Sequence, residues 1–423
     1  MASTLYTARY LLPITAPPIE GGALLVDGGR ILASGSRTEL RNISQNAKEI
    51  DFGDAVLMPP MVNAHAHLEL SSFPDWLNTT GEVDAPRDFV DWILRLIRVR
   101  RNLDLSQFRD SLAWGLKESL RSGTGAVGDI LTTLPGADVY QDSPLYGKVY
   151  AEVLGHDKGV VSDRLETIET MLGRPPGKAL NWGLSPHAPY TLSSSIIDQV
   201  FAFSAEQSLQ SSIHLAESAE ESAFVRSGQG AIADKLYTAA QWDPATDPAS
   251  GCSPVKFLCR AGRLRRNDLM VHGVQVDDSD ISLVKRTGCY VALCPRSNAA
   301  LDVGRAPVID YLKAGVQLSL GTDSLASAPS LSIWHELAFA RSWFAGDVSP
   351  RKWLEIATLG GARALGLQGR IGQLASGSDA SFQVVGLTGL PAIDEVEEAL
   401  CAAGESVAVS HLYLAAQNVL PES

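Results

Sequence analysis

The feature that most constrains the fold is an alternation, over most of the chain, of short apolar segments with longer amphipathic ones. Short runs rich in β-branched and apolar residues are typical of buried strands, whereas the longer segments carry apolar residues at helical intervals. Such an alternation builds parallel sheets through right-handed crossovers. The eight strand candidates are VLMPPMVNAHAH (56–67), GAVGDI (125–130), KVYAEVL (148–154), NWGLSPH (181–187), SSIHLAE (211–217), LMVHGV (269–274), CYVALCP (289–295) and VQLSLGTD (316–323).

Eight strand and helix units predict an α/β fold, a (β/α)8 TIM-like barrel over residues 58–367. The helix between the first two strands is clearest in RDFVDWILRLIRVRR (87–101). The chain of 423 residues is longer than a barrel of about 250 residues requires, so a second, smaller domain is expected. Short strand-like runs separated by turn signals at residues 1–57 and 368–423 are typical of antiparallel hairpins. We expect the two ends to combine into one small β-sandwich domain.

Composition narrows the class of partner. The formal net charge of −13 argues against nucleic acid or an anionic membrane, because either partner favours a basic surface. The five cysteines lack the spacing of a disulfide framework or a zinc ribbon, and no segment reads as a secretion signal or a membrane span. We therefore expect a cytoplasmic enzyme with a small-molecule substrate. A homodimer is an option, since isologous dimers are common among soluble enzymes.

Polar side chains recur at the carboxyl ends of the predicted strands, where barrel enzymes place their catalytic groups. Two histidines at i and i+2 of an extended segment project to the same side, so both can reach one ion. A single histidine is more often a hydrogen-bonded core or surface residue, but six polar groups at equivalent positions are hard to attribute to chance. The sequence therefore predicts a metal site at the mouth of the barrel. The six residues are His65, His67, His187, His214, His272 and Asp323.

The motifs around these residues resemble those of the amidohydrolase superfamily, in its chlorohydrolase and nucleobase-deaminase branch. The resemblance extends over the barrel and, through the short β segments, nearly the whole chain. It implies a metal-dependent hydrolase that releases ammonia from an aminated heterocycle. The motifs are PPMVNAHAHLELS (59–71), GLSPHAPYTLS (183–193), IHLAES (213–218), VHGV (271–274) and LGTDS (320–324).

The resemblance also implies a set of metal ligands. His65 and His67 match the ligand pair of the first strand, His214 the ligand of the fifth strand, and Asp323 the carboxylate of the eighth. Binuclear members bridge two ions with a carboxylated lysine at the end of the fourth strand, but this chain has SPHAPY there, without lysine or glutamate. A single divalent ion is therefore expected. Nitrogen and oxygen donors with one open position favour Zn²⁺, with Fe²⁺ as the alternative.

Three residues are assigned catalytic roles by the same resemblance. Glu217 matches the proton-shuttling glutamate, and His272 matches the sixth-strand histidine beside the attacking water, with its direct metal contact left open. Asp323 is expected to accept a proton from that water, whose pKa a bound ion lowers from 15.7 towards about 7. The alternative for Glu217 is a solvated carboxylate at the start of a helix. Glu220 and Glu221 are predicted to be surface charges.

Substrate contacts are expected from His187, Glu69 and Arg296. His187 resembles a histidine that contacts the heterocycle, and Glu69 follows the His-x-His pair closely. Arg296 either binds a substrate carboxylate or is a surface charge or a bridge to a neighbouring Asp. The phrases HLELS, SPHAPY, HLAES and LCPRSN most resemble the aminofutalosine deaminases of menaquinone biosynthesis, which act on the adenine ring of a nucleoside with a carboxyphenyl group. Asp88 and Asp91 are candidates for a ribose-binding carboxylate.

Other functions share the same ligand set. A chlorohydrolase, a guanine or cytosine deaminase, or another amidohydrolase remains open, because shared metal chemistry does not separate these activities. A catalytically silent scaffold is the remaining alternative, and the intact set of ligands argues against it.

Overall fold

Both ends of the chain contribute to one sheet. The structure, a computed structural model, describes residues 3–82, 84–243, 249–344, 346 and 348–420. The strands of this sheet are β1 (Thr4–Leu11), β2 (Ile19–Asp27), β3 (Arg30–Ser36), β4 (Lys48–Asp51), β5 (Val56–Met58), β14 (Phe382–Gly386), β15 (Ala408–Leu414) and β16 (Gln417–Asn418). They are hydrogen-bonded in the order β16-β15-β14-β5-β1-β2-β3, with β4 paired to β1.

The predicted association of the two ends is confirmed, in a form that differs from the expected sandwich. Strand β5 pairs with β1 on one side and with β14 on the other, so the strands of the two ends join edge to edge in one hydrogen-bonded sheet. The domain limits 1–57 with 368–423 and 58–367 stay a prediction.

Eight parallel strands form the barrel. They are β6 (Met61–Ala66), β7 (Thr124–Leu131), β8 (Tyr146–Val153), β9 (Leu180–Pro186), β10 (Ser212–Leu215), β11 (Leu269–His272), β12 (Tyr290–Leu293) and β13 (Gln317–Leu320). Strands β6 to β9 form one parallel sheet and β10 to β13 a second. Parallel bridges between Leu184 and Ser211 and between Ala66 and Asp323 join these sheets at both seams. The predicted (β/α)8 architecture is confirmed, with all eight strands close to their expected positions.

Helices follow the strands as the alternating pattern predicts. The stretch predicted at 87–101 is helical from Phe89 to Arg101, and the side chain of Asp88 caps it by accepting a hydrogen bond from the backbone N–H of Asp91. The α-helices are α1 (Arg37–Ile43), α2 (Phe73–Thr80), α3 (Phe89–Arg101), α4 (Leu105–Arg121), α5 (Lys158–Leu172), α6 (Ser194–Glu206), α7 (Ala219–Ser227), α8 (Thr238–Ala240), α9 (Pro254–Arg260), α10 (Asp278–Thr287), α11 (Pro295–Ala300), α12 (Val308–Ala314), α13 (Ile333–Trp343), α14 (Pro350–Glu355), α15 (Gly361–Ala364) and α16 (Val396–Ala403).

Short 3₁₀ or π segments complete the helical part of the described chain, at Leu68–Leu70, Leu134–Asp142, Ile232–Tyr237, Ile356–Gly360 and Gly404–Ser406. The main hydrophobic core lies between the barrel strands and their helices, and a smaller core lies on one face of the terminal sheet. Among the described residues, no helix combines the length and the apolarity needed to cross a bilayer. The carboxyl ends of β6 to β13 meet at one end of the barrel.

Candidate active site

Five of the six predicted polar residues lie together at the carboxyl ends of the barrel strands. His65 lies in β6 with His67 directly after it, His214 lies in β10, His272 ends β11, and Asp323 follows β13. All five are buried. Because the strands are parallel, residues far apart in sequence reach the same end of the barrel.

The distances between these side chains suit the ligands of one ion. The Nε2 atoms of His67 and His214 are 3.1 Å apart. Asp323 Oδ1 lies 3.6 Å from the Nε2 atoms of both His65 and His67. Ligands with metal bonds of about 2.0–2.2 Å lie roughly 3.3–3.6 Å from one another around a tetrahedral ion. The ligand atoms of His65, His214 and His272 also lie within 4.8 Å of one another.

Unpartnered nitrogen atoms point to the same conclusion. The Nε2 atoms of His65 and His272 are buried and have no hydrogen-bond partner among the described residues. Burial lowers the pKa of His65, and it lowers that of His67 well below its usual range. Neutral imidazole is the form that binds a metal. These residues fit the divalent ion that the sequence predicts.

Neighbouring side chains form hydrogen bonds with Asp323 and His272 through the polar atom of each that is turned away from the cluster. Asp323 Oδ2 accepts hydrogen bonds from the hydroxyls of Ser297 (2.6 Å) and Ser327 (2.8 Å). His272 Nδ1 lies 2.9 Å from Asn298 Oδ1. Both Asp323 and His272 have positive φ angles, 60° and 72°, which are uncommon for residues other than glycine and cluster at functional sites. The backbone and these partners therefore aim the remaining polar atoms into the site.

Glycine is required beside the first histidine. A Cβ atom added at Gly321, directly after β13, would lie 2.8 Å from both the Cβ and the carbonyl oxygen of His65. Any larger residue would separate β13 from β6 at this point. Gly321 thus permits the close approach that brings Asp323 to the two histidines of β6.

Glu217 is buried next to His272. Its Oε1 lies 3.5 Å from His272 Nε2, and its side chain lines the cavity described below. Burial raises the pKa of Glu217 well above its usual range, and the negative charge of Asp323 raises it further. Burial lowers the pKa of His272 to about 3. The structure thus favours a protonated Glu217 beside a neutral imidazole, an arrangement able to donate a proton.

The prediction for Glu221 is wrong, whereas Glu220 is partly exposed as expected for a charge near the surface. Glu221 is buried, and its carboxylate accepts hydrogen bonds from the backbone N–H groups of Ala216 (2.9 Å) and Glu217 (2.7 Å). The turn before α7 leaves these donors without backbone partners, and a nearby carboxylate satisfies them. Glu221 thereby fixes the backbone that carries Glu217.

A cavity opens at the cluster of histidines and Asp323. His67, His214, His272, Asp323 and Glu217 lie at its base. His187, which follows β9, lies in its wall, with its Nδ1 2.9 Å from the hydroxyl of Thr191. An apolar wall faces them and consists of Leu70, Trp92, Ile93, Leu96, Ile97, Leu236 and Trp242. A flat, uncharged ring fits between such surfaces.

The arginine in this cavity is not the one that the sequence suggested. Among the described residues, the lining includes Arg100 and not Arg296. Arg296 lies beside Glu336, with 4.0 Å between Nε and Oε1, and Glu336 also accepts a hydrogen bond from the Arg296 backbone N–H. The side chain thus lies beside an acidic residue, as in the bridged alternative, although the partner is a glutamate and not the expected Asp. A role for it in substrate binding stays a prediction that this geometry does not favour.

Glu69 forms a hydrogen-bonded ion pair with Arg100. Glu69 is buried and is not one of the residues that line the cavity. Its Oε1 accepts a hydrogen bond of 2.6 Å from Arg100. Its Oε2 accepts one of 2.9 Å from the backbone N–H of Thr133. Sequence reasoning missed Arg100, although its spacing of seven residues from Ile93 places it on the same helical face as Leu96 and Ile97. That face lines the cavity.

The two aspartates considered for ribose binding have another partner. Lys235 donates hydrogen bonds to Asp88 Oδ2 (2.6 Å) and Asp91 Oδ1 (2.8 Å). These contacts connect the start of α3 to the segment before α8. A second residue missed by sequence reasoning is Glu152, a buried carboxyl in the cavity wall, whose only signal was a charge within the apolar strand KVYAEVL.

A buried set of imidazole and carboxylate side chains at the mouth of a (β/α)8 barrel, spaced as the ligands of one ion and with a buried carboxyl beside it, is typical of a metal-dependent hydrolase. The sequence profile of the amidohydrolase family matches residues 56–411. The chain belongs to the amidohydrolase family. The resemblance found in the sequence motifs is therefore confirmed.

Relatives of known name agree with a hydrolase that acts on C–N bonds. The chain is 33% identical over 358 residues to the aminodeoxyfutalosine deaminase of Deinococcus radiodurans, covering 82% of this chain and 81% of the relative. It is 29% identical over 385 residues to a 5-methylthioadenosine/S-adenosylhomocysteine deaminase of Desulforudis audaxviator, covering 88% and 82%. The predicted enzyme class, a metal-dependent deaminase, is confirmed.

Solved structures share the fold over nearly the whole chain. An adenosine deaminase from Xanthomonas campestris with bound zinc has a TM-score of 0.81 and 25% identity, covering 99% of this chain and 92% of that one. The aminofutalosine deaminase of Helicobacter pylori has a TM-score of 0.83 and 20% identity, covering 99% and 100%. At 20% identity, the likeness to the second structure shows the fold alone.

Proposed function

We propose that the protein uses one divalent metal ion to deaminate the adenine ring of a nucleoside, 6-amino-6-deoxyfutalosine or a related adenosine nucleoside. The observation that carries this proposal is the buried carboxyl of Glu217, 3.5 Å from His272 and adjacent to the cluster of His65, His67, His214 and Asp323. The names of the two relatives support the adenine nucleoside.

The four residues of that cluster are proposed to hold the ion, Zn²⁺ in the first instance and Fe²⁺ as the alternative. When bound, a divalent ion lowers the pKa of a water molecule towards neutrality and so supplies a nucleophile. His272 and Asp323 would orient that water. Asp323 Oδ2 is held by two hydroxyl donors, which leaves Oδ1 on the side of the histidines to accept a proton.

Glu217 supplies the acid. Because burial favours its protonated form, Glu217 would donate its proton to a ring nitrogen. It would then take up the proton that Asp323 accepts from the attacking water and pass it to the departing amine, which leaves as ammonia. The second proton of the water, released as the carbonyl forms, would restore Glu217. His187 lies on the other side of His214, with 4.9 Å between their ring centroids, and is proposed to contact the heterocycle. The apolar wall on α3 excludes water from the opposite face of the ring.

Arg100 is the proposed partner for an acidic group on the substrate. It lines the cavity at the end of α3, and Glu69 and Thr133 hold two of its nitrogen atoms at 2.6 Å and 3.4 Å. A guanidinium has five N–H donors, so others remain for a carboxylate. This arrangement supports a nucleoside with a carboxylate-bearing substituent over a simple nucleobase.

A substrate screen tests the proposal. Zinc-reconstituted protein would be assayed for ammonia release from adenine nucleosides with and without an acidic 5′ substituent, from guanine and cytosine, and for turnover of triazines. The highest kcat/KM is expected for an adenine nucleoside. The matched variant Asp323→Asn should retain the fold and lose turnover by at least about 1,000-fold, because it loses a ligand charge and a proton acceptor.

Exclusive turnover of a triazine or a pyrimidine would refute the adenine assignment. Near-native activity of Asp323→Asn would refute its role. A single ion, a cytoplasmic location, the lack of a nucleic-acid partner and a homodimer stay predictions.

A further inference from the structure

Glu152 is a buried carboxyl in the cavity wall without an assigned role. It lies next to the last residue of β8 and is 3% exposed. Its Oε2 accepts a hydrogen bond of 2.6 Å from the hydroxyl of Thr132. Its Oε1 is buried and has no hydrogen-bond partner among the described residues. A buried carboxyl oxygen left unpaired is costly, so a ligand that satisfies it gains affinity.

The position of Glu152 indicates which part of a substrate it meets. Around the barrel, Glu152 at the end of β8 is followed by His187 after β9, His214 in β10 and His272 at the end of β11. Ligand atoms of Glu152, His187 and His214 lie within 4.8 Å of one another. Glu217 lies beside His272, on the far side of His214. A substrate whose reacting carbon lies beside Glu217 and His272 therefore extends its opposite end towards Glu152.

The chemistry around Glu152 excludes two kinds of partner. A second metal ion at Glu152, His187 and His214 would need the Nε2 of His214, which lies 3.1 Å from that of His67 and belongs to the first ligand set. The other nitrogen of His214, Nδ1, lies 2.9 Å from the carbonyl oxygen of His187. An anionic group would be repelled by a carboxylate. An uncharged hydrogen-bond donor, such as a hydroxyl, fits the free oxygen.

We propose that Glu152 accepts a hydrogen bond from a sugar hydroxyl of the nucleoside and so makes the enzyme selective for ribonucleosides over deoxynucleosides. Thr132 is a positioning residue, since its hydroxyl holds Oε2 and leaves Oε1 without a partner among the described residues. This inference rests on the proposed function, because it takes the substrate to be a nucleoside. It assigns sugar recognition to the strand end at β8, and leaves Asp88 and Asp91 to their contacts with Lys235.

Discrimination between ribose and deoxyribose tests the inference. The best adenine ribonucleoside from the screen would be compared with its 2′-deoxy and 3′-deoxy analogues by kcat and KM. The wild-type enzyme should disfavour at least one analogue by roughly 10- to 100-fold in kcat/KM, the range of a hydrogen bond to a charged group. Because the hydroxyl is remote from the reacting carbon, the loss should lie mainly in KM.

Two substitutions at Glu152 separate recognition from structure. Glu152→Met removes both acceptor oxygens at similar length and should bring discrimination to within about twofold. Glu152→Gln retains an uncharged acceptor and should fall between Met and the wild type. The exposed Glu166→Gln on α5 is the matched control and should leave discrimination unchanged. Thermal unfolding and zinc content establish that each variant is folded and loaded.

The outcomes distinguish this inference from the proposed function. If the wild type deaminates adenine ribonucleosides and Glu152→Met retains the wild-type discrimination, the inference fails and the proposed function stands. Equal losses on the ribonucleoside and on both analogues would also overturn it, since they indicate a structural role. If no adenine nucleoside is deaminated, both fail. Loss of discrimination in a folded, zinc-loaded Glu152→Met supports the inference.

Discussion

At the scale of single residues, His272 and Asp323 share one arrangement. Each has one atom held by a neighbouring side chain and another that faces the cluster. His272 has Nδ1 beside Asn298 and a free Nε2, and Asp323 has Oδ2 held by Ser297 and Ser327 with Oδ1 towards the histidines. Outer contacts of this kind fix the orientation of a ligand and its tautomer, so that little reorganisation is needed during the reaction.

The two arginines give a prediction at this scale. Arg100→Gln should lower kcat/KM by roughly 10- to 100-fold for an adenine nucleoside with a carboxylate substituent, because a charged hydrogen bond is lost. For unsubstituted adenosine the change should be less than about threefold. Arg296→Gln is the matched control. It should leave kcat/KM unchanged for both substrates, because Arg296 lies outside the cavity lining that the structure describes. Steady-state kinetics of all three proteins measure the difference.

A larger effect of Arg296→Gln on the acidic substrate would reverse this assignment. It would restore the role that the sequence suggested for Arg296. Both variants would be compared at equal zinc content, so that a change in metal loading is not read as a change in recognition.

At the scale of elements, the turn between β10 and α7 positions the proposed acid. Ser218 caps α7 by accepting a hydrogen bond from the backbone N–H of Glu221. The carboxylate of Glu221 in turn accepts from the N–H groups of Ala216 and Glu217. Ala216 has a positive φ of 55°, so the chain reverses sharply after the strand. The helix start and the strand end therefore hold Glu217 between them.

Glu221→Gln should weaken this turn. The amide places a donor where the carboxylate accepted from two buried N–H groups, which costs about 1–3 kcal/mol of unfolding free energy. Activity should fall as well, because Glu217 loses its fixed backbone. Glu220→Gln, one residue earlier and partly exposed, is the control and should stay within about 0.5 kcal/mol of the wild type. Denaturant unfolding and kcat measure the two effects, and equal stabilities of the two variants would contradict this role.

At the scale of the whole molecule, three of the proposed metal ligands, His65, His67 and Asp323, lie on a seam of the barrel. The backbone N–H of Asp323 donates to the carbonyl of His65 (3.1 Å), and the N–H of His67 donates to the carbonyl of Asp323 (3.2 Å). These bonds join the first barrel strand to the last one. An ion bound by the same residues would connect the two ends of the barrel sequence.

Removal of the metal should therefore lower stability as well as activity. Because an ion that binds only the folded protein stabilises it by mass action, zinc at 100 times its Kd adds about 2.7 kcal/mol to the unfolding free energy. The unfolding temperature of the chelated protein should rise with added zinc. Asp323→Asn should show a much smaller rise, since one ligand charge is lost. Identical unfolding temperatures with and without zinc would contradict a metal site at this seam.

Local patterns in the sequence determined the architecture and a cluster of polar residues at the mouth of the barrel, and the family resemblance indicated which of them hold the ion. Strand and helix periodicity is set by neighbouring residues, and parallel strands bring their carboxyl ends together, so His65, His67, His214, His272 and Asp323 were predictable as one cluster. The resemblance to the amidohydrolase superfamily, and not strand position, indicated Glu217. The joining of the two chain ends was predictable too, but not their pairing in one sheet, in which β5 pairs with β1 on one side and with β14 on the other.

Only the tertiary structure decided which long side chains face the cavity. Arg100 reaches it from a helix and Glu152 from a strand end, while Arg296 lies against Glu336 and Glu221 lies beneath the turn before α7. The physical reason is that a long, charged side chain takes its direction from partners that are distant in sequence. Strand ends follow from the backbone, whereas the partners of these charges follow from packing between elements.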